Sequence, residues 1–182
     1  MVSLSQNTHL DYKIMHSGNN IGWLRLEKNI SVNKSDFELV SEIKTKIIFP
    51  ITISSKESSS FENDKLIYSS QFRKTNGTTK INKEIRFIDN EYEAIENNKK
   101  TKLPLTNIST NLLSLFFKEP ENYKEVYCEN QQQFIKVYKD NDGGYRMKFP
   151  NGNCNSYYYK EGICVKIKIE HKFYLAEIII NR

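Results

Sequence analysis

Apolar and polar residues alternate along almost the whole chain. The clearest run places Phe37, Leu39, Ser41, Ile43, Thr45, Ile47 and Phe49 on one face and Glu38, Val40, Glu42, Lys44, Lys46 and Ile48 on the other. A period of two is the mark of a half-buried strand, dry on one side and wet on the other. The same pattern recurs over residues 10–16, 21–28, 51–61, 66–74, 79–88, 91–95, 123–129, 133–139, 145–149, 156–160, 163–171 and 173–180. Between the runs sit Ser17-Gly18-Asn19-Asn20, Asn63-Asp64, Asn76-Gly77, Asp89-Asn90, Asn97-Asn98, Asn141-Asp142-Gly143-Gly144, Asn151-Gly152 and Glu161-Gly162. These residues tolerate the positive backbone angles of tight hairpins, so the chain reads as an antiparallel meander. Pro50 cannot donate to a ladder and marks a bend, a bulge or an edge.

One segment breaks the alternation. Ser109 to Lys118 holds Leu112, Leu113, Leu115, Phe116 and Phe117, too dense for a half-exposed strand, with Ser109 or Thr110 as a cap and Pro120 beyond its end. It predicts two to three turns of helix lying against a sheet. The expected fold is therefore all-β: a strongly curved antiparallel sheet or half-barrel of about twelve strands with one short helix against the concave face. Residues 1–8 are expected to be the remnant of a signal peptide or a disordered N-terminus, because Val-Ser-Leu-Ser-Gln carries the small residues of a cleavage site. Residues 9–182 then form a single β-rich domain.

Composition narrows the functional classes. The net charge of +5 comes from 22 Lys against only 5 Arg, alongside 20 Asn and 21 Ile, a bias of AT-rich coding rather than of an organised basic site. Arg, the residue suited to bidentate phosphate or base contacts, is scarce, so no nucleic-acid partner is expected. Lys99, Lys100 and Lys102 read as a solvated loop. The longest apolar runs fall well short of the ~20 residues of a spanning helix, so any membrane association would be peripheral. Cys128, Cys154 and Cys164 are odd in number and lack metal-ligand spacing; they read as buried thiols, and a tight turn at Glu161-Gly162 sets Cys164 opposite about Tyr159 and Cys154 opposite roughly Ile169.

Three stretches carry a resemblance: Leu10–Lys28 with Tyr-Lys-Ile-Met-His-Ser-Gly-Asn-Asn-Ile-Gly-Trp, Phe116–Glu129 with Phe-Phe-Lys-Glu-Pro and Val-Tyr-Cys-Glu, and Phe149–Ile169 with Phe-Pro-Asn-Gly-Asn-Cys-Asn-Ser-Tyr-Tyr-Tyr-Lys-Glu-Gly-Ile-Cys-Val. In order and spacing the chain resembles a domain-of-unknown-function family of small exported bacterial proteins. The resemblance implies a periplasmic or extracellular β-rich protein similar in architecture to the half-barrels of lipoprotein carriers. One helix, where the carriers have several, leaves less room for a lidded cavity.

Candidate chemistry is sparse. His9, His16 and His171 share no ligand spacing, and no nucleophile elbow, phosphate loop or zinc motif occurs, so no catalytic residue, metal or cofactor is assigned. His171 shares parity with Val165, Ile167 and Ile169. Glu57 shares parity with Ile51, Ile53 and Phe61 and would point inward among Ser55 and Ser59, unless a twist or bulge after Pro50 turns it out. Small inward residues leave space that Trp23, Leu112, Phe116 and Phe117 could line around a ligand, or that these residues could fill as a packed core. Tyr158 must oppose Tyr157 and Tyr159. The expected function is an exported, non-enzymatic, monomeric binder of a hydrophobic small molecule or lipid on the concave side. The alternative is a structural or protein-interaction module of the cell envelope with an envelope protein as partner.

Overall fold

A computed structural model describes residues 6–46 and 49–181. Fourteen strands follow one another: β1 Gln6–His16, β2 Asn19–Ile30, β3 Lys34–Lys46, β4 Pro50–Glu62, β5 Lys65–Thr75, β6 Thr78–Ile88, β7 Glu91–Glu96, β8 Lys99–Leu103, β9 Glu125–Cys128, β10 Gln133–Lys139, β11 Tyr145–Lys148, β12 Cys154–Lys160, β13 Ile163–His171 and β14 Tyr174–Ile180. They form one curved, unclosed antiparallel sheet in the order β8-β7-β6-β5-β4-β3-β2-β1-β14-β13-β12-β11-β10-β9. Each strand thus lies beside its sequence neighbours, except that β8 and β9 form the two opposite edges and β1 pairs with β14, placing Tyr12 opposite Ile180 and Ile14 opposite Ile178. That pairing joins two meanders, β1–β8 and β9–β14, into one wall.

The turns form where the sequence puts Asn, Asp and Gly. Both central residues have positive φ at Ser17-Gly18, Asn63-Asp64, Asn76-Gly77, Asp89-Asn90, Asn97-Asn98 and Glu161-Gly162, the geometry whose twist matches the flanking strands. Pro50 opens β4 directly across from Lys46, at the start of a strand where its missing N–H is tolerated. Expectation and structure part company over β8. Lys99-Lys100-Thr101-Lys102-Leu103 has no apolar alternation, yet it is the edge strand rather than a loop; its lysines pair with the β7 acids, Lys102 with Glu91 and Lys100 with Glu93. Charged edge strands discourage further pairing, and that role needs no apolar pattern.

The expected helix is reduced to one 3-10 turn, Ser114–Phe116. Its neighbours spend their backbone groups elsewhere: Ile108 O accepts from Leu66 N, Thr110 O from Tyr127 N, and Leu112 N donates to Tyr127 O. Ser114 N in turn donates to Asn111 Oδ1 (3.0 Å) and Ser114 Oγ to Asn111 O (2.8 Å), the local side-chain bonds that compete with helix formation. Residues 104–124 are therefore a strap that leaves β8, crosses the concave side and lies along the β9 edge. The strap buries Ile108, Leu113, Leu115, Phe116 and Phe117 among Tyr12, Leu24, Leu26, Phe37 and Phe61. Phe116 meets Tyr12 edge-on at 5.4 Å, and Phe117 meets Phe37 at 5.6 Å. Tyr12 OH donates to Cys164 O across the sheet (2.6 Å), and Tyr159 OH ties the strap at Leu115 O (2.9 Å).

β1 begins at Gln6, so residues 6–8, expected in the N-terminal remnant, are strand, and residues 1–5 lie outside the described residues. Ile47 and Ile48 of the long run also lie outside them, and Phe49 is exposed. The three cysteines are free and buried. Cys164 faces Tyr159 as expected, but a bulge at Tyr158/Tyr159 moves the register by one, so Cys154 faces Glu170 rather than Ile169. Tyr158 points out, its OH donating to Asp142 Oδ2 (2.8 Å), while Tyr157 is buried on the other face. Because the strap rings form the concave packing, Phe116→Ala is expected to cost about 3–5 kcal/mol. Urea denaturation checks this; a loss below about 1 kcal/mol would show that the strap packs loosely.

Candidate functional site

Burial falls steadily along the inner face of β4. Phe61 and Ser59 are buried, whereas Glu57, Ser55, Ile53 and Ile51 are only half-buried. The reason lies in strand length. At about 3.3 Å per residue, the 13-residue strands β3 and β4 extend about 43 Å, whereas β9 and β11 have four residues each. The strap fills the concave side where Phe37 and Phe61 lie and stops short of the opposite end. Beyond it, Ile43, Ile53 and Ile81 line one wall of a trough that is open at that end and half-exposed. Gly22 stands opposite Ile43, where a Cβ would run into the Glu42 carbonyl oxygen, so β2 and β3 close up there only with glycine.

At the junction of strap and trough lies a polar cluster. Glu57 points inward, opposite Leu39 on one side and Gln71 on the other. The bulge between β4 and β5 comes later, at Ser60/Phe61, and does not turn it out. Gln71 Nε2 donates to Glu57 Oε2 (3.2 Å). Asn111 of the strap donates through Nδ2 to Ser59 Oγ (2.6 Å) and to Glu129 Oε1 (2.5 Å), bridging β4 to the end of β9. Ser69 faces Ser59 in register, yet its Oγ is buried without a partner, as is Gln71 Oε1. Such orphaned atoms are rare in folded proteins. Towards the open end, Arg73 Nε donates to Ser55 Oγ (3.3 Å), and Lys83 pairs with Glu96 (3.4 Å).

Burial dominates the electrostatics. Desolvation pushes the Glu129 carboxyl up to about 7, against the lowering effect of its own backbone N–H and the Asn111 amide, and the charge on Glu57 adds to the rise. Glu57 is raised for the same first reason, opposed by Gln71 and Arg73. Burial likewise raises the Cys128 thiol to about 11 and Cys164 to about 12, so neither is a ready thiolate. Among the described residues no group of three or more His, Cys, Asp or Glu side chains is placed to hold a metal ion.

The ligand-lining residues named from sequence are dispersed. Phe116 and Phe117 are packed inside the core, and Leu112 is partly buried against it. Trp23 is 43% exposed on the convex face, because its neighbour Leu24 takes the inward position on β2. It borders an open surface hollow of about 450 Å3 with His9, Asp11 and Arg25. Only Glu57 reaches the trough. His171 stacks on Tyr174 in the β13–β14 hairpin, its ring centroid 4.4 Å away, and forms no constellation with Glu57. Glu129, Asn111, Gln71 and Ser69 were not singled out. An unbulged turn at Asn63-Asp64 would set Ser59 against Tyr68; the bulge makes it Ser69 and aligns the polar positions of β4 and β5.

These features define an open half-barrel of antiparallel strands whose concave side is part packed core and part polar-floored trough. Residues 12–181 match the model of a domain of unknown function, DUF6134, and the chain belongs to that family. It is similar to the crystal structure of a β-barrel-like protein of domain of unknown function DUF1849 from Brucella abortus. The TM-score is 0.60 at 10% identity, covering 100% of this chain and 98% of that one, a likeness of fold alone. No curated protein matches.

The raised carboxyls have a consequence for stability. Between about pH 4.5, the ordinary carboxyl value, and about 7, the folded chain holds a proton at Glu129 that the unfolded chain has released. The unfolding free energy is therefore expected to fall as pH rises through that window, on the order of 2–3 kcal/mol from this group. Denaturation curves from pH 4 to pH 8 check this, with the slope flattened in Glu129→Gln; equal slopes in both proteins would place Glu129 in solvent.

Proposed function

We propose that the protein is an exported, non-enzymatic binding protein that takes an apolar or amphipathic molecule of the lipid class into the open half of its concave side. The observation that carries this reading is the half-exposed wall of Ile43, Ile53 and Ile81 beyond the end of the strap. A half-exposed inward apolar wall is the arrangement an acyl chain would complete, gaining about 0.8 kcal/mol per buried methylene. A deep aromatic hollow is not part of the proposal, since Phe116 and Phe117 are already packed. The export expectation and the lipoprotein-carrier-like architecture are consistent with such a ligand.

A second reading, a structural or protein-interaction module of the envelope, is favoured by the outward Trp23 and by the β13–β14 hairpin, where Phe173 is 81% and Leu175 66% exposed. The two readings use opposite faces of the sheet and separate cleanly. Titration with the neutral fluorophore N-phenyl-1-naphthylamine is expected to show saturable binding that falls at least tenfold in Ile53→Asp and is unchanged in Trp23→Ala. Absence of saturable binding, or sensitivity to Trp23→Ala alone, would overturn the concave-side reading.

A further inference from the structure

Neighbouring hairpins reach out together at the open end of the half-barrel. Ile43, Gly22, Ile14 and Ile178 stand in one row across β3, β2, β1 and β14. From that row β3 runs on to Lys46, β1 turns at Ser17-Gly18, and β14 starts back at Tyr174, across from His171. What lies outermost is apolar and basic: Phe49 ahead of Pro50, and Lys172, Phe173, Tyr174 and Leu175 at the β13–β14 turn, all exposed. The β13–β14 turn is braced from within rather than covered. His171 stacks on Tyr174, Phe173 N donates to His171 Nδ1 (3.2 Å), Lys172 Nζ lies 5.5 Å from the Phe173 ring centroid, and His16 of the β1–β2 hairpin donates to Leu175 O (2.7 Å).

Charge divides the two ends of the sheet. At this end Lys46, Lys148 and Lys172 are exposed and make no ion pair among the described residues, whereas the acids of the same strand ends are paired: Glu42 with Lys44 (2.8 Å), Glu170 with Arg146 (2.8 Å) and Glu177 with Lys166 (2.5 Å). The hairpin turns of the opposite end hold Asp64, Asp89, Asp142 and Glu161 and no Lys or Arg, and the exposed Val32 and Ile88 stand there singly. Rings and lysines on protruding turns suit the headgroup layer of an anionic bilayer, where aromatic side chains settle and ammonium groups meet lipid phosphates. A stable protein contact covers about 800 Å2 on each side. The polar Ser17-Gly18-Asn19-Asn20 turn separates Phe49 from Phe173, which breaks up such a patch, while a bilayer admits each tip singly. We propose that the β3–β4 and β13–β14 hairpins seat the open end of the half-barrel on an anionic lipid bilayer, with Phe49, Phe173 and Leu175 entering the headgroup region and Lys46 and Lys172 meeting lipid phosphates. This contact goes beyond the binding reading and does not require it; where both hold, the trough opens towards the surface that carries its ligand.

The test is flotation of the intact protein with vesicles of phosphatidylglycerol and phosphatidylcholine in equal parts, set against vesicles of phosphatidylcholine alone. The protein is expected to float with the anionic vesicles, to stay behind with the zwitterionic ones and to be released by high salt. Phe173→Ser with Leu175→Ser should weaken binding to the anionic vesicles about tenfold or more, because both side chains leave water on insertion. Lys46→Glu with Lys172→Glu should weaken it to a similar degree, about tenfold or more, through lost attraction to the lipid charge, and Val32→Ser should leave it unchanged. An unchanged thermal transition shows that the variants fold; should a double variant unfold, Phe173→Ser alone carries the same direction of effect. The same variants are expected to bind N-phenyl-1-naphthylamine as the parent does. No flotation with anionic vesicles, or flotation that survives both double variants, would overturn the bilayer contact and leave the trough reading standing, whereas flotation without saturable N-phenyl-1-naphthylamine binding would support the contact and overturn the trough. A dimer in sedimentation equilibrium that Phe173→Ser with Leu175→Ser dissociates, without flotation, would overturn the bilayer contact in favour of a second copy of the chain.

Discussion

The pairing of β1 with β14 is the constraint on which the rest of the structure depends. It is the one strand contact that sequence neighbours do not make, and it joins an eight-strand and a six-strand meander into a single wall. Only with that wall continuous do Tyr12 and Cys164, 152 residues apart, come within a 2.6 Å hydrogen bond. The curvature then follows from the ordinary right-handed twist of strands accumulated over fourteen members. A sheet this wide has an inner face too large for one short segment to cover. The strap fills half of it, and the long strands β2 to β6 overhang the remainder.

From that mismatch between wall and filling come the features of the candidate site. Where strap and wall meet, the side chains are aromatic and the interior is dry. At the strap's end the interior turns polar, with Asn111 bridging Ser59 and Glu129 and with two carboxyls, Glu57 and Glu129, whose pKa burial raises. Further out Ile43, Ile53 and Ile81 share the inner face with Ser55 and Arg73. Dry core, polar floor and apolar rim are thus successive zones of one surface, and their order along β4 runs Phe61, Ser59, Glu57, Ile53.

Much of the fold was legible in the chain, because a period of two and Asn-Gly-type turns are local signals that tertiary context reinforced. β8 was not, since an edge strand of lysines has no apolar face to alternate. The helix over Ser109–Lys118 failed for a different reason: residues 108–112 give their backbone groups to β5 and β9, partners far away in sequence. Trp23 shows the limit of composition, for a large aromatic suggested a lining residue although strand parity gives the inner position to Leu24. Glu57 was placed by parity. Glu129 and Ser69 depend on a one-residue bulge and on the crossing of the strap, and neither leaves a mark in local sequence.

In the proposed function the open half of the concave face receives the ligand. Isoleucine methyl NMR with bound N-phenyl-1-naphthylamine tests this most directly. Intermolecular NOEs from its rings to Ile43, Ile53 and Ile81 are the predicted result. NOEs confined to Ile169 and Ile179, which line a separate hollow of about 490 Å3 at the β13–β14 hairpin, would contradict it.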